Sequence, residues 1–160
     1  MGKMILYLPS KTLSSGDILE LNNVLQIPHF RGVMMRDELH SNPKDAECGV
    51  VNLNTSRESG THWVCYYKMG HKRFYFDSFA EPPPIEVEKY LKSERELNDD
   101  LPCIIRNYHT VQHDNAVECG GLCLYVLKRL SEGVPFSSIM VHLTRRYRSS
   151  HPNSPLSVKV

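Results

Sequence analysis

Three runs in the first half of the chain are rich in the β-branched and aromatic residues that favour strands. They cover residues 49–53, 62–67 and 72–76. Turn-forming residues such as Ser59-Gly60 and Gly70 separate them, and short connections of this kind join strands of opposite direction. The pattern therefore predicts three consecutive, largely antiparallel strands, with a further strand candidate over residues 103–108.

Four other segments show the helical period, in which apolar residues recur three or four positions apart. Ser14 or Ser15 with Asp17 forms a capping start for the first helix, and Pro28 ends it. The segment 119–130 is apolar on nearly every side, which is typical of a buried central helix. The inward residues of the other three helices are Ile18, Leu21, Val24 and Leu25; Val87, Tyr90 and Leu91; and Ile139, Met140 and Leu143.

Two segments lack a clear period. Residues 30–39 mix apolar and charged side chains, so we predict a loop with short turns there. Residues 149–160 are rich in Ser, Pro and basic side chains and are predicted to form a flexible basic tail. Residues 1–148 are then long enough for one domain with a single core. The elements predict an α+β fold in which a central helix packs on a mainly antiparallel sheet.

The composition limits the class of protein but identifies no partner. With 41% hydrophobic residues, 23% charged residues and a net charge of +1, the 160-residue chain is typical of one soluble globular domain. Five cysteines, an odd number, predict a reducing compartment, the nucleus or the cytoplasm, rather than a disulfide scaffold. The apolar run at residues 4–8 is too short for the core of a signal peptide, and nothing indicates a membrane.

Four polar residues occur in an order that suits nucleophilic catalysis. Cys119 opens the apolar helix, and a helix N-terminus and a nearby imidazolium both favour the thiolate that reacts. His62 opens a strand, and Asp77, at the end of the next strand, can orient its imidazole. The side chain of Gln112 and the N–H of Cys119 can donate hydrogen bonds to an oxyanion. The set predicts a cysteine protease.

Glycines follow the cysteine at positions 120 and 121, although each glycine in a helix costs about 1 kcal/mol relative to alanine. Such a cost is expected where a backbone must approach closely, so we predict that Gly120 and Gly121 contact substrate. Trp63, beside the histidine, is predicted either to contact substrate as well or to belong to the core.

The motifs Gly60-Thr61-His62-Trp63, Phe76-Asp77-Ser78-Phe79 and the run 112–120 resemble those of the adenovirus endopeptidase (adenain) family. That family shares a clan with the proteases that process ubiquitin-like modifiers. The segment 32–39 resembles the version encoded by virus-like self-synthesising DNA transposons and their viral relatives. One position departs from the pattern, because adenovirus enzymes commonly carry glutamate where this chain has Asp77, the residue of the ubiquitin-like-protease branch.

The resemblance implies a papain-like core with His62 as base, Asp77 as orienter, Gln112 as oxyanion donor and Cys119 as nucleophile. It implies a monomeric endopeptidase that cleaves viral or transposon capsid or core precursors after small residues such as glycine, in the host nucleus or cytoplasm or in the virion. It implies no cofactor, with an activating peptide or DNA left open. Cys103 lies near the place where the adenovirus enzyme has a cysteine that is disulfide-linked to its activating peptide; the alternative is an ordinary strand thiol.

Three alternatives stay open or are set aside. The same site could remove a ubiquitin-like modifier, or the chain could be an inactive binding module, although a pure binding role does not require all four polar residues. The pairs His109/His113 and Cys119/Cys123 resemble zinc-ligand spacing, but they are joined by only five residues and lack an ordinary finger loop. We predict no metal.

Overall fold

The computed structural model of the protein describes residues 4–54, 62–92, 103–114 and 116–160. The elements in chain order are β1 (Ile5–Leu8), α1 (Ser15–Leu25), β2 (Phe30–Met35), β3 (Ala46–Asn52), β4 (Trp63–Met69), β5 (Lys72–Phe76), α2 (Ile85–Lys92), β6 (Ile104–Arg106), α3 (Cys119–Ser131), α4 (Phe136–Arg148) and β7 (Leu156–Lys159).

The main sheet has five strands in the order β2-β3-β4-β5-β6. The central strands β3, β4 and β5 are antiparallel, as the three strand-like runs predicted. The edge strands β2 and β6 join them in parallel, so the sheet is mixed. Gly70, with φ of +59°, supplies the left-handed backbone conformation between β4 and β5.

Residues alternate between the two faces of this sheet, and each face has its own core. On one face, Val50, Cys65 and Phe76 pack with the central helix α3. On the other face, Val51, Val64 and Tyr75 pack with α2. Helix α3 is apolar nearly all round because the sheet, β1, α1 and α4 surround it. The predicted α+β fold with a central helix packed on the sheet is confirmed.

The segment 30–39 does not form the predicted loop, because residues 30–35 form strand β2. Two features hid the strand from the sequence pattern. Gly32 has a φ of +106°, and the pairing with β3 shifts register between Phe30 and Val33, so the period of two is broken. Only Met34 is fully buried on this edge strand, so charged neighbours are tolerated.

The prediction of a flexible tail over residues 149–160 is wrong. Residues 156–159 form β7, which pairs antiparallel with β1 at the opposite end of the chain. Leu156 and Val158 are buried beside α3, whereas Ser157 and Lys159 are exposed. The short alternation is present in the sequence, but its partner strand lies about 150 residues away, and a local pattern cannot reveal such a pairing.

The chain between β1 and α1 runs closely over the first turn of α3. A β-carbon at Gly121 would lie 2.5 Å from the carbonyl oxygen of Pro9, and one at Gly120 would lie 3.0 Å from Cδ1 of Leu13. The close approach predicted at these glycines therefore exists, but the neighbouring backbone belongs to the protein itself. Their contact with substrate stays a prediction.

Gly121→Ala should lower the free energy of unfolding by about 1–3 kcal/mol, because its β-carbon meets rigid backbone in an overpacked position. Gly16 in the first turn of α1 is the matched control, since a β-carbon there meets only Ser14 Oγ at 3.7 Å. Gly16→Ala should raise the free energy of unfolding by about 0.4–1 kcal/mol. Urea denaturation measures both, and equal effects of the two substitutions would contradict the packing argument.

Candidate active site

Two adjacent strand ends bring His62 and Asp77 together. His62 directly precedes β4 and Asp77 directly follows β5, and the two strands are antiparallel, with Cys65 opposite Phe76. The start of one strand therefore meets the end of the other. Nε2 of His62 lies 2.7 Å from Oδ1 of Asp77, as the sequence predicted for a base and its orienter.

Hydrogen bonds to its carboxylate and to its backbone hold Asp77 in place. Its Oδ1 also accepts a hydrogen bond from the N–H of Phe79 at 2.8 Å. Asn107 donates its Nδ2 to the Asp77 carbonyl at 2.6 Å and accepts from the Asp77 N–H at 3.2 Å. The Phe79 ring stacks on the His62 imidazole at 4.9 Å, so the ring plane is fixed as well.

Cys119, the first residue of α3, lines the same cleft as His62. The cleft has a volume of about 260 Å³ and is lined by Leu13, His62, Trp63, Phe79, Gln112 and Cys119, among others. Cys119 is 6% exposed, so its sulfur is reached only through the cleft. The cysteine begins the helix, where the first backbone N–H groups have no partner within the helix.

The imidazole of His62 stays protonated well above its ordinary range. Burial alone would lower its pKa from 6.5, but the hydrogen bonds and negative charges of Asp77 and Cys119 outweigh burial and raise the pKa to about 9. An imidazolium at neutral pH is the partner that a cysteine nucleophile requires. Nε2 faces the carboxylate, which leaves Nδ1 for the thiol.

Gln112 also reaches the cleft, and two hydrogen bonds hold its amide. Its Nε2 donates to the carbonyl of Ala116 at 2.7 Å, and its Oε1 accepts from Oγ of Ser78 at 2.6 Å. The structure thus brings together all four predicted residues. Asn107 and Ser78 escaped the sequence prediction, since no local pattern marks Asn107 and only its place beside Asp77 marks Ser78.

Trp63 belongs to the core and also lines the cleft, and its contact with substrate stays a prediction. Its Nε1 donates to the carbonyl of Leu13 at 2.9 Å. Cys103 is exposed and directly precedes the edge strand β6. Its link to an activating peptide stays a prediction. Of the motif residues, Gly60, Thr61 and Asn115 lie outside the described part of the chain.

Within residues 4–54, 62–92, 103–114 and 116–160, no group of three or more His, Cys, Asp or Glu side chains could hold a metal ion. Across the same ranges, none of the helices has both the length and the apolar character that crossing a bilayer demands.

Comparisons with known proteins agree with this architecture. Neither a protein-family model nor a curated protein matches the chain. The crystal structure of the ASFV pS273R protease matches with a TM-score of 0.53 at 14% identity, over 87% of this chain and 67% of that one. The chain has the fold of this viral protease. The selenomethionine form of that protease matches with a TM-score of 0.42 at 18% identity, over 66% of this chain and 44% of the other.

Asp77→Asn should lower the pKa of His62 from about 9, because the carboxylate that opposes the effect of burial is lost. NMR titration of the imidazole C–H resonances measures the change, with the exposed His151 as internal control. An unchanged titration of His62 in the variant would show that Asp77 does not hold the proton there.

The raised pKa of His62 also predicts how the stability of the protein depends on pH. The pKa of His62 in the folded protein lies above its ordinary value of 6.5, so protonation favours the folded state. This contribution is complete below about pH 6.5 and is lost as the pH rises through 9. The stability difference between wild type and Asp77→Asn should therefore shrink across this window.

Proposed function

We propose that this protein is a cysteine endopeptidase that uses Cys119, His62, Asp77 and Gln112. The observation that carries the proposal is that His62, hydrogen-bonded to Asp77, lines the same cleft as a cysteine at a helix start. Each group has the chemical environment that its role needs. The fold of a viral protease supports the same reaction class.

In the proposed mechanism, Cys119 and His62 form an ion pair before substrate binds, because the thiol has given its proton to Nδ1 of His62. The thiolate then attacks the carbonyl carbon of the scissile peptide bond. The Gln112 amide and the N–H of Cys119 donate to the resulting oxyanion. His62 then gives its proton to the leaving amine. Water, activated by the same imidazole, hydrolyses the thioester and releases the acid product. Asp77 holds the ring throughout.

The proposed substrates are viral or transposon structural precursors that are cleaved after small residues such as glycine. The resemblance to the adenovirus endopeptidase family supports this substrate class. Trp63 and Leu13, which line the cleft and are joined by a hydrogen bond, also support a narrow passage beside the nucleophile. We further propose that the enzyme acts as a monomer in the host nucleus, in the cytoplasm or in the virion.

Removal of a ubiquitin-like modifier is a second candidate, and one residue favours it. The orienter at position 77 is aspartate, as in the modifier-processing branch of the clan, rather than the glutamate common in adenovirus enzymes. A modifier with a glycine-rich C-terminus would need the same narrow passage. A thiol-reactive ubiquitin-type probe, compared with a glycine-rich peptide substrate, separates the two candidates.

Cys119→Ala should abolish hydrolysis, because the nucleophile is lost. A library of peptides that includes glycine-rich viral precursor sequences, analysed by mass spectrometry, reports activity and cleavage sites together. Cys48→Ala is the control, since Cys48 is buried in β3 away from the cleft. Cleavage at the same sites by purified Cys119→Ala would overturn the proposal, as would the absence of any cleavage or probe reaction by the wild type.

Brief treatment with iodoacetamide at pH 6 should label Cys119 far faster than Cys48 or Cys123, because burial raises the pKa of both of those thiols. His62→Ala should slow the labelling of Cys119, since the imidazolium that favours its thiolate is gone. Labelling of the exposed Cys103 should not change and serves as the control. Peptide mapping gives all four rates, and equal rates for Cys119 in both proteins would contradict activation by His62.

A further inference from the structure

Ser78 carries a fully buried hydroxyl that the mechanism above does not use. The residue directly follows Asp77 at the end of β5 and is 0% exposed. Its Oγ donates a hydrogen bond to Oε1 of Gln112 at 2.6 Å, and Gln112 is itself 2% exposed. A buried hydroxyl on a buried amide of the candidate active site can control the orientation of that amide.

We propose that Ser78 is the positioning residue of the oxyanion donor: it holds the Gln112 amide so that one N–H is available to the cleft. The inference rests on the proposed protease function and adds the residue that prepares its oxyanion site. Two neighbouring residues then serve the two halves of the site. Asp77 orients the base, and Ser78 orients the oxyanion donor.

The neighbours of the amide distinguish its nitrogen from its oxygen. The backbone carbonyl of Ala116 can only accept, so the amide atom 2.7 Å from it is the nitrogen. The oxygen must then face Ser78, whose hydroxyl donates to it. The last torsion of a glutamine side chain is otherwise broad, and a partner at each end of the amide restricts it.

This orientation leaves one hydrogen of the amide available. An amide nitrogen carries two hydrogens, and Ala116 takes one of them. Among the described residues, the second hydrogen has no acceptor. Gln112 and Cys119 line the same cleft, so this hydrogen can serve the oxyanion that forms on the substrate carbonyl oxygen when the cysteine sulfur attacks the carbonyl carbon.

The backbone around Ser78 is fixed without its hydroxyl. The carbonyl oxygen of Ser78 accepts from the N–H of Val111 at 2.8 Å and from Oγ1 of Thr110 at 3.0 Å. These bonds tie the loop that carries Gln112 to the end of β5. Ser78→Ala leaves them in place, so the substitution removes only the bond to the amide.

The test measures kcat and KM for wild type, Ser78→Ala, Gln112→Ala and the double variant, on a peptide that the wild type cleaves. Ser78→Ala should lower kcat roughly 3- to 10-fold, the effect of one lost hydrogen bond, with little change in KM. In the Gln112→Ala background the same change should have no further effect, because Ser78 acts through Gln112. Equal losses in both backgrounds, or no loss in either, would overturn the proposal.

Two further variants separate positioning from loop stability. Thr110→Val removes a hydroxyl that bonds only to the backbone oxygens of Ser78 and Gln112, so it should lower kcat less than Ser78→Ala. Ser78→Cys keeps a similar volume with a weaker donor, so its kcat should fall between wild type and Ser78→Ala. If Thr110→Val lowers kcat as much as Ser78→Ala does, a general loosening of the loop explains the loss and the proposal fails.

Hydrogen exchange of the Gln112 amide tests the positioning role without catalysis. It therefore separates failure of that role from failure of the proposed protease function. The side-chain amide protons of Gln112, assigned by NMR with Gln112→Ala, should exchange slowly with water in the wild type. Ser78→Ala should speed their exchange. Slow exchange that persists in Ser78→Ala contradicts the positioning role even in a protein that cleaves no peptide, whereas faster exchange supports it independently of the substrate.

Discussion

The burial of the first turn of α3 is the constraint on which the rest of the structure depends. A helix start has unpaired N–H groups and is ordinarily placed near solvent, yet residues 119–127 are all buried. The sheet covers this turn from one side, and the chain before α1 covers it from the other, with the carbonyl of Pro9 in the space that a side chain at Gly121 would need. The two glycines lower the helix propensity of this turn, but their lack of side chains allows Cys119 to begin a helix inside the core.

The buried position of Cys119 explains why the other side chains of the candidate site lie at strand ends and in a loop. The cleft that reaches this cysteine passes the end of the sheet where β4 begins and β5 ends, since His62 and Phe79 line it. His62 and Asp77 occupy these two positions, and the loop that carries Gln112 is hydrogen-bonded to Ser78, the residue after Asp77. The rigid strand pair therefore sets the distance between His62 and Asp77. Hydrogen bonds from Asn107 to Asp77 and from Ser78 to Gln112 set the finer orientation.

The sequence predicted the residues whose signals are local and missed those defined by distant contacts. Cys119 was predicted because it opens an apolar helix, His62 because it opens a strand-like run, and Asp77 because such a run ends just before it. Strand β7 was missed because its partner β1 is at the other end of the chain, and β2 because Gly32 and a register shift interrupt its alternation. Asn107 is hydrogen-bonded to Asp77, 30 positions away, and Ser78 to Gln112, 34 positions away, and no spacing along the chain encodes such contacts.

One buried ion pair joins the start of α3 to α4, and through α4 to the segment that was predicted to be a tail. Glu118 directly precedes Cys119, and an unpaired carboxylate there would oppose a second negative charge on the neighbouring sulfur. Arg146 of α4 binds it with two nitrogens, at 3.1 and 2.7 Å. The Nε of the same guanidinium donates to the carbonyl of Ser154 at 2.8 Å, just before β7. Since removing one partner of a buried pair costs about 3–5 kcal/mol, Arg146 helps to hold the start of α3 in place and joins it to the segment before β7.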